Sequence, residues 1–378
     1  MKKKVDNQVA IQVNKLFFQA LHERVFPGAA MQIKLAGKSE NIELNEFYGR
    51  TDYDSYGSDV KVDTIFDLAS LTKPLATTLS IMVLLESNQL RLTDRIGSIF
   101  DQLKGKRLGE VTILHLLSHS SGLPAYKPYF INYKPQPTKE AKMRIINSIV
   151  GTEQIYQPEK KCLYSDLGFI LLGEIIERVS GESLDNFFTK QICDPLGLSQ
   201  DIFFRPLKTI RNDQKDILRF APTEYCRWRG KMLRGIVHDE HCYLFGGVSG
   251  HAGLFGTLKG VSHLCFAILR HWQGEKQFPY ISIELMKKFL RKVYPHQGWC
   301  MGFDTPSRQG SSSGKYLSAD SVGHLGFTGT SFWLDKTKGL SMVMLTNRVH
   351  PTRYNLKIRA FRPLFHNTVL EQIINKST

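Results

Sequence analysis

The sequence predicts an α+β fold, in which an antiparallel sheet flanked by helices carries an inserted, mostly helical subdomain. Two observations lead there. Strand-like runs lie near both ends of the chain, at 30–36 and 41–48 and again at 324–334 and 339–346, with the short turn-bounded character of sheet strands. Between them, 95–235 reads as helices and loops. Strands from both termini in one sheet make the middle an insertion. The 378 residues suffice for a sizeable core and are read as one domain, 1–378. Within it, 1–85 with 300–378 form the sheet and flanking helices, and 86–299 form the helical insertion with its site-forming loops.

The chain opens at 8–23 with an amphipathic helix, since Val13, Leu16, Phe17, Ala20 and Leu21 recur at helical spacing. Phe26-Pro27-Gly28 breaks it. The runs 30–36 and 41–48, separated by Gly37-Lys38-Ser39-Glu40, form a hairpin. After the turn-rich 52–59 comes a long helix, 71 to about 90, whose Pro74 is tolerated because the first turn has no amide partner to lose. An apolar helix at 167–179 ends near Gly181. Gly246, Gly247, Gly250 and Gly253 make a flexible approach to a helix at 258–272. The strands 324–334 and 339–346 follow, then a last helix from about 363 to 375. Gly310-Ser311-Ser312-Ser313-Gly314 reads as a mobile loop, and no internal repeat is present.

Composition is that of a globular protein, 42% hydrophobic and 22% charged, with a net charge of +15. Such a surface concentrates anions, but no basic run is continuous and no groove-reading or zinc-finger spacing accompanies it, so nucleic acid is not the expected partner. Lys2, Lys3 and Lys4 resemble the start of an export signal, yet Asp6, Asn7, Gln8, Gln12, Asn14 and Lys15 interrupt any apolar stretch after them. No uncharged run is long enough to span a membrane, so a cytoplasmic location is expected. The six cysteines, 162, 193, 226, 242, 265 and 300, form no CxxC pair and read as buried thiols.

Ser-x-x-Lys occurs three times. Ser58–Lys61 and Ser312–Lys315 fall in polar loops, whereas Ser70-Leu71-Thr72-Lys73 falls where the apolar run 65–69 meets a helix. Ser and Lys three apart on a helix share a face, about 5–6 Å between Cβ atoms, so the amine reaches the hydroxyl. The helix N-terminus favours an alkoxide. A lysine base must fall well below its ordinary pKa of ~10.4, which burial beside donors or cations achieves. Read locally, a serine cap followed by a surface lysine fits equally well.

Here the sequence resembles the serine β-lactamase and penicillin-binding-protein superfamily, in particular its class C-like and esterase branch, over roughly 27–351. Ser70 and Lys73 match its first motif. Tyr164-Ser165-Asp166 resembles its Tyr-x-Asn, and His324-Leu325-Gly326 its Lys-Thr-Gly, in the family's order. The run 111–124, Gly250-His251-Ala252-Gly253-Leu254-Phe255-Gly256-Thr257, Phe26-Pro27-Gly28 and Leu345-Thr346-Asn347-Arg348 are also similar. The resemblance implies a β-lactamase/transpeptidase-like fold and a serine hydrolase that cleaves an ester or amide through a Ser70 acyl-enzyme. It implies that Lys73 and Tyr164 shuttle protons, that the amides of Ser70 and Phe327 form an oxyanion hole, and that Asp166, His324, Gly326 and Phe327 meet the substrate. No cofactor and no metal are implied; the partner is a small ester, amide or peptide.

Two positions depart from the pattern. Asp166 stands for the usual Asn, and its charge would raise the pKa of Lys73. His324 stands for the carboxylate-binding Lys and, with an ordinary pKa of ~6.5, points away from efficient β-lactamase activity. Acyl transfer and D-alanyl peptidase or β-lactamase activity on the same site are alternatives, as is a catalytically inactive ligand-binding protein of this fold. His238-Asp239-Glu240-His241-Cys242 looks like a metal cluster, but adjacent ligands cannot all converge. His119 and His251 sit in loops near the expected cleft, where loop structure explains them equally well. Tyr126, Tyr129, Phe130 and Tyr133 fit either a substrate entrance or a packed loop.

Overall fold

Both ends of the chain meet in one sheet. The computed structural model describes residues 2–36, 41–54, 57–210, 214–294, 298–307 and 309–374. In chain order, the elements that position the site are α1 (Lys2–His22), β1 (Gly28–Ala36), β2 (Asn41–Gly49), β3 (Phe66–Asp67), α2 (Leu79–Glu86), α3 (Asp166–Ser180), β4 (Ile202–Phe204), β5 (Leu254–Gly256), α4 (Leu258–Trp272), β6 (Val322–Leu325), β7 (Ser331–Asp335), β8 (Leu340–Thr346) and α5 (Ile358–Ile374). The main sheet has the order β2-β1-β8-β7-β6, every pair antiparallel. Ala29 faces Thr346 and Leu35 faces Leu340, so the hairpin expected from 30–48 is extended by the C-terminal strands.

Alternation along the strands sorts the side chains between two layers. Met31, Ile33, Met342 and Met344 pack with Val13 and Phe17 of α1 and Phe361 and Phe365 of α5. Phe17 stacks on Tyr48 at 4.3 Å and meets Phe361 and Phe365 edge-on at 5.1 and 5.4 Å. The opposite face, with Ala30, Val343, Leu345 and Phe332, joins Val261, Leu264 and Ile268 of α4. This second core continues without a break into Leu79, Met82, Leu117, Leu167 and Leu171. The helix 258–272, taken from sequence with the insertion, therefore lies against β1, β7 and β8. A small antiparallel sheet of order β3-β5-β4 sits at the junction.

Several elements differ from the sequence reading. The helix expected over 71–90 is a 3₁₀ turn, Ala69–Leu71, then a π-helical turn, Lys73–Thr78, then α2; the chain leaves α2 through Asn88 at φ 56°. The single strand expected over 324–334 is two, because the chain reverses at 326–330, where the Gly326 amide donates to the Thr330 carbonyl at 2.7 Å and Gly329 takes φ 111°. The last helix begins at Ile358 and carries Pro363 inside it. The loop 310–314 is fastened to that helix: the Ser312 carbonyl meets His366 Nδ1 at 2.9 Å, and Ser313 is fully buried. Among the described residues, no helix is long and apolar enough to cross a membrane.

Candidate active site

Ser70 sits at the centre of the 3₁₀ turn after β3. Two carboxylate bonds hold that turn. Asp67, fully buried, accepts from the Ala69 amide at 2.8 Å through Oδ1 and from the His238 amide at 2.7 Å through Oδ2. Ala69 takes φ 47°, a conformation L-residues seldom adopt and one that persists only where surroundings fix it. Thr72 Oγ1 donates to the Ala69 carbonyl at 2.6 Å and accepts from the Leu254 amide at 3.2 Å. The turn that carries Ser70 is thus pinned to β5.

Lys73 points inward and is completely buried. Its Nζ lies 2.9 Å from Ser70 Oγ, 3.0 Å from the His251 carbonyl oxygen and 2.7 Å from Asp166 Oδ1. It stands 4.9 Å from the centre of the Tyr164 ring. Burial pulls the Lys73 pKa down, but Asp166 and Tyr164 outweigh it and the net direction is up. Lys73 therefore rests as an ammonium, and the neutral amine that a simple base would need is not the resting form. The largest upward pull comes from Asp166, one of the two residues that depart from the family's motifs.

Tyr164 is brought in by backbone anchors on either side. The Leu163 amide donates to the His119 carbonyl at 2.9 Å, the Ser165 amide to His119 Nδ1 at 3.1 Å, and the Asp166 amide to the Ala125 carbonyl at 2.9 Å. Ser165 caps α3 by accepting from the Gly168 amide. Burial pushes the Tyr164 phenol up to about 12, against the opposing pull of Lys73 and its contact with Ser70. His119, expected only near the cleft, packs its ring 4.8 Å from Tyr164 and 4.6 Å from Trp299. Burial and the Lys73 charge hold it neutral.

A cavity of about 370 Å³ opens over Ser70, walled by Tyr164, Trp299 and the third-motif residues His324, Gly326 and Phe327. His324 is buried, with Nδ1 2.9 Å from the Leu325 carbonyl oxygen; burial and Lys73 lower its pKa to about 3, so it is neutral. Gly326 is a steric necessity. A Cβ there would lie 1.9 Å from Thr330 Oγ1 and 2.7 Å from the Leu68 carbonyl, two residues from Ser70. Thr328 and Thr330 complete this seam by donating to the Asp67 and Leu68 carbonyls at 2.7 and 3.1 Å.

Sequence reasoning missed Asp67, Trp299 and the cavity's arginines. Arg348, Arg359 and Arg362 line its far wall. Arg362 donates to the Gly326 and Thr330 carbonyls, both at 2.8 Å, and Arg348 to those of Phe327, Arg353 and Asn355. Asp67 had a signal, three residues before Ser70; Trp299 and the helix-borne arginines had none. The aromatic run stands apart from this cavity: Phe130 packs on Trp228 at 5.3 Å and Tyr126 on His241 at 5.4 Å. Lys315 of the last Ser-x-x-Lys faces Glu371 at 3.9 Å, remote from Ser70.

The Beta-lactamase family profile matches residues 13–364. The chain belongs to the beta-lactamase family. Among relatives of this family member, the putative D-alanyl-D-alanine carboxypeptidase of Escherichia coli K12 is 31% identical over 306 residues, covering 76% of this chain and 70% of that protein. The N-acetylmuramyl-L-alanine amidase of Bacillus subtilis 168 is 27% identical over 374 residues, covering 92% and 81%. The solved structure of EstCE1, described as a hydrolase with promiscuous acyltransferase activity, superposes with a TM-score of 0.71 at 22% identity, over 95% of this chain and 99% of that one. This beta-lactamase-family protein is a serine hydrolase with the β-lactamase/transpeptidase fold.

Proposed function

We propose that Ser70 is the nucleophile of this serine hydrolase and that its substrate is an acyl compound carrying a negative charge, cleaved through a Ser70 acyl-enzyme. The observation that carries the nucleophile is the 2.9 Å contact between Ser70 Oγ and Lys73 Nζ inside a buried cluster. With Lys73 resting as an ammonium, it takes the Ser70 proton only as it passes one of its own to Asp166, 2.7 Å away. Ser70 Oγ bonds to the substrate carbonyl carbon. The amides of Ser70 and Phe327 hold the oxyanion, a task worth about 2.7–4 kcal/mol per donor. As the tetrahedral adduct collapses, the Tyr164 hydroxyl protonates the leaving group and is reprotonated through Lys73. Water then enters along the reverse path and frees the acid.

Charge supports the substrate class. Arg348, Arg359 and Arg362 make no ion pair among the described residues, and Arg348 and Arg362 lie below the usual guanidinium range through burial and mutual repulsion. Asp304 lines the same cavity, and burial raises its carboxyl to about 7. An anionic group on the substrate would relieve the repulsion among the arginines, and they would supply the positive charge that the neutral His324 does not. The relatives' names, a putative carboxypeptidase and an amidase, fit a substrate with free carboxylates. Six cysteines without disulfides support a reducing compartment such as the cytoplasm.

The test is intact-protein mass spectrometry after p-nitrophenyl acetate, a fluorophosphonate and penicillin G, beside a pair of peptide p-nitrophenyl esters differing only in a free or amidated carboxylate. Ser70 adducts absent from Ser70→Ala, with the free acid preferred and that preference lost in Arg359→Ala, are expected. A folded protein that no reagent acylates would overturn the nucleophile. Equal use of both esters would overturn the anionic substrate alone.

A further inference from the structure

The run His238–Cys242 divides once folded. His238 Nε2 turns to Glu224 at 3.2 Å, Glu240 Oε1 pairs with Arg353 Nη2 at 2.7 Å, and Cys242 Sγ donates to the Ala252 carbonyl at 3.2 Å. Asp239 and His241 remain, and the glycine-rich turn after them brings in a third group that sequence spacing hides. Gly250 packs so tightly against α3 that a Cβ would lie 2.1 Å from the Phe169 carbonyl, and this contact seats His251. One donor atom each from Asp239, His241 and His251 then lie within 4.8 Å of one another.

Each of the three has its own reason to be there. Asp239 caps the short helix Glu240–Leu244, accepting from the Cys242 amide at 2.7 Å through Oδ1, which fixes the carboxylate. His251 is buried, its Nε2 2.9 Å from that same Oδ1 and its Nδ1 2.9 Å from Ser249 Oγ. Ser249 can accept the Nδ1 proton, the outer contact that usually orients a metal-binding imidazole and frees Nε2 as a lone pair. His241 is the telling one. It is fully buried, neither ring nitrogen has a hydrogen-bond partner among the described residues, and Tyr126 and Phe130 enclose it at 5.4 and 5.8 Å. A buried polar atom left unpaired costs about 1–3 kcal/mol, most buried polar groups in native proteins are paired, and among the described buried histidines His241 alone leaves both ring nitrogens unpaired.

We propose that Asp239, His241 and His251 bind one divalent transition-metal ion of the zinc class. Two imidazoles and a carboxylate form the N,N,O set that such ions favour, with metal–ligand distances of about 2.0–2.2 Å. Those distances bring ligand atoms to about 3.5 Å apart, so His251 Nε2 and Asp239 Oδ1, at 2.9 Å, separate slightly and His241 closes by side-chain rotation. The partly exposed Asp239 side leaves a further position for water. The second acidic cluster, Glu224, Cys226 and Glu240, is not comparable, because Arg353 already pairs with both of its carboxylates.

The site bears on the catalytic cluster through one residue. The backbone carbonyl of His251 accepts from Lys73 Nζ at 3.0 Å, so an ion gripping the His251 ring fixes one of three contacts that aim the amine. The ion touches neither substrate nor Ser70; it positions Lys73.

The experiment is equilibrium dialysis of the chelator-stripped full chain against Co²⁺ and Zn²⁺, with Mg²⁺ as control and the visible spectrum of the Co²⁺ form as readout. One Co²⁺ or Zn²⁺ per chain, no Mg²⁺, and intense low-symmetry Co²⁺ bands are expected. His241→Asn should weaken uptake at least 100-fold and Ser249→Ala about tenfold. His241→Gln stands in should the Asn variant fail to fold. No stoichiometric uptake, or uptake unchanged in folded His241 variants, overturns the proposal.

Discussion

Asp166 Oδ1 lies 2.7 Å from Lys73 Nζ, an ion pair placed inside the cluster that surrounds Ser70. Its charge keeps Lys73 protonated and, in the proposed mechanism, Asp166 receives the displaced proton. Asp166→Asn removes both effects. Acylation by p-nitrophenyl acetate at pH 7 should fall by about 10²–10⁴, the usual worth of a positioned acid or base. It should recover toward alkaline pH, as Lys73, its pKa now lowered by burial, becomes a free amine. A pH–rate profile superimposable on the parent's would remove Asp166 from the proton path. Stability carries a second sign. The folded Lys73 pKa is raised above the unfolded value, so the pair stabilises fully below ~10.4 and loses its effect as pH climbs through the folded value. The melting-temperature gap between parent and variant should accordingly be widest near neutrality and narrow in strong alkali.

Acid should destabilise the fold before its carboxylates titrate. His119, His324 and His366 are buried and their pKa values are lowered, the last two to about 3 and about 4. Between those values and ~6.5 the unfolded chain binds protons that the folded chain refuses, so stability falls as pH falls through that window. Asp304 acts oppositely: its raised value of about 7 lets the folded chain bind a proton that the unfolded chain lacks. His241 and His271, also lowered by burial, act with the three histidines, so protons are taken up on unfolding in this window. Urea midpoints measured from pH 7 to 4.5 should decline accordingly, and His366→Gln should flatten the decline. A flat profile would mean that these imidazoles are hydrated or paired.

The sheet was legible because its evidence is local. Alternation at Met31, Ile33 and Leu35 and again at Leu340, Met342 and Met344 assigns both faces without tertiary knowledge. The contact between Ser70 and Lys73 was legible for a related reason, since their three-residue spacing on a helical turn fixes it, whereas Tyr164 came from the family resemblance alone. What escaped depended on chain reversals and distant approach. The break between β6 and β7 turns on Gly329, whose left-handed conformation leaves only a glycine in the sequence. Trp299 and Arg362 reach the cavity from segments with no periodic or motif signal, and His251 meets Asp239 only because Gly250 lets a loop rest on α3.

Gly326→Ala should separate chemistry from folding. The added methyl collides with Thr330 Oγ1 and the Leu68 carbonyl, and the second cannot rotate away. Overpacking of this kind costs about 1–3 kcal/mol, which a core of this size tolerates. The displaced seam carries Ser70 with it, and a shift near 1 Å at a reacting group can cost about 10²-fold. Thermal melts should therefore show a folded, weakened protein whose phosphonylation by a fluorophosphonate is slowed about 100-fold. A parent-like rate would show that the turn 326–330 does not hold Ser70 in place.

Trp299 is the wall that faces both Tyr164, at 5.5 Å, and His324, at 5.9 Å. Its indole is half-buried, so it serves packing and the substrate surface together. Trp299→Ala opens space beside Tyr164 and His119 and should destabilise by about 3 kcal/mol, the low end for an aromatic deleted from a core. Tyr164 loses the ring that holds its hydroxyl toward Lys73, so kcat should fall along with the rise in KM that follows from lost substrate contact. Trp299→Phe keeps a ring in place and should restore kcat while leaving part of the KM defect. Steady-state kinetics of the two variants on one p-nitrophenyl ester decide the matter. A defect confined to KM in both would make Trp299 a substrate contact alone, with no hold on Tyr164.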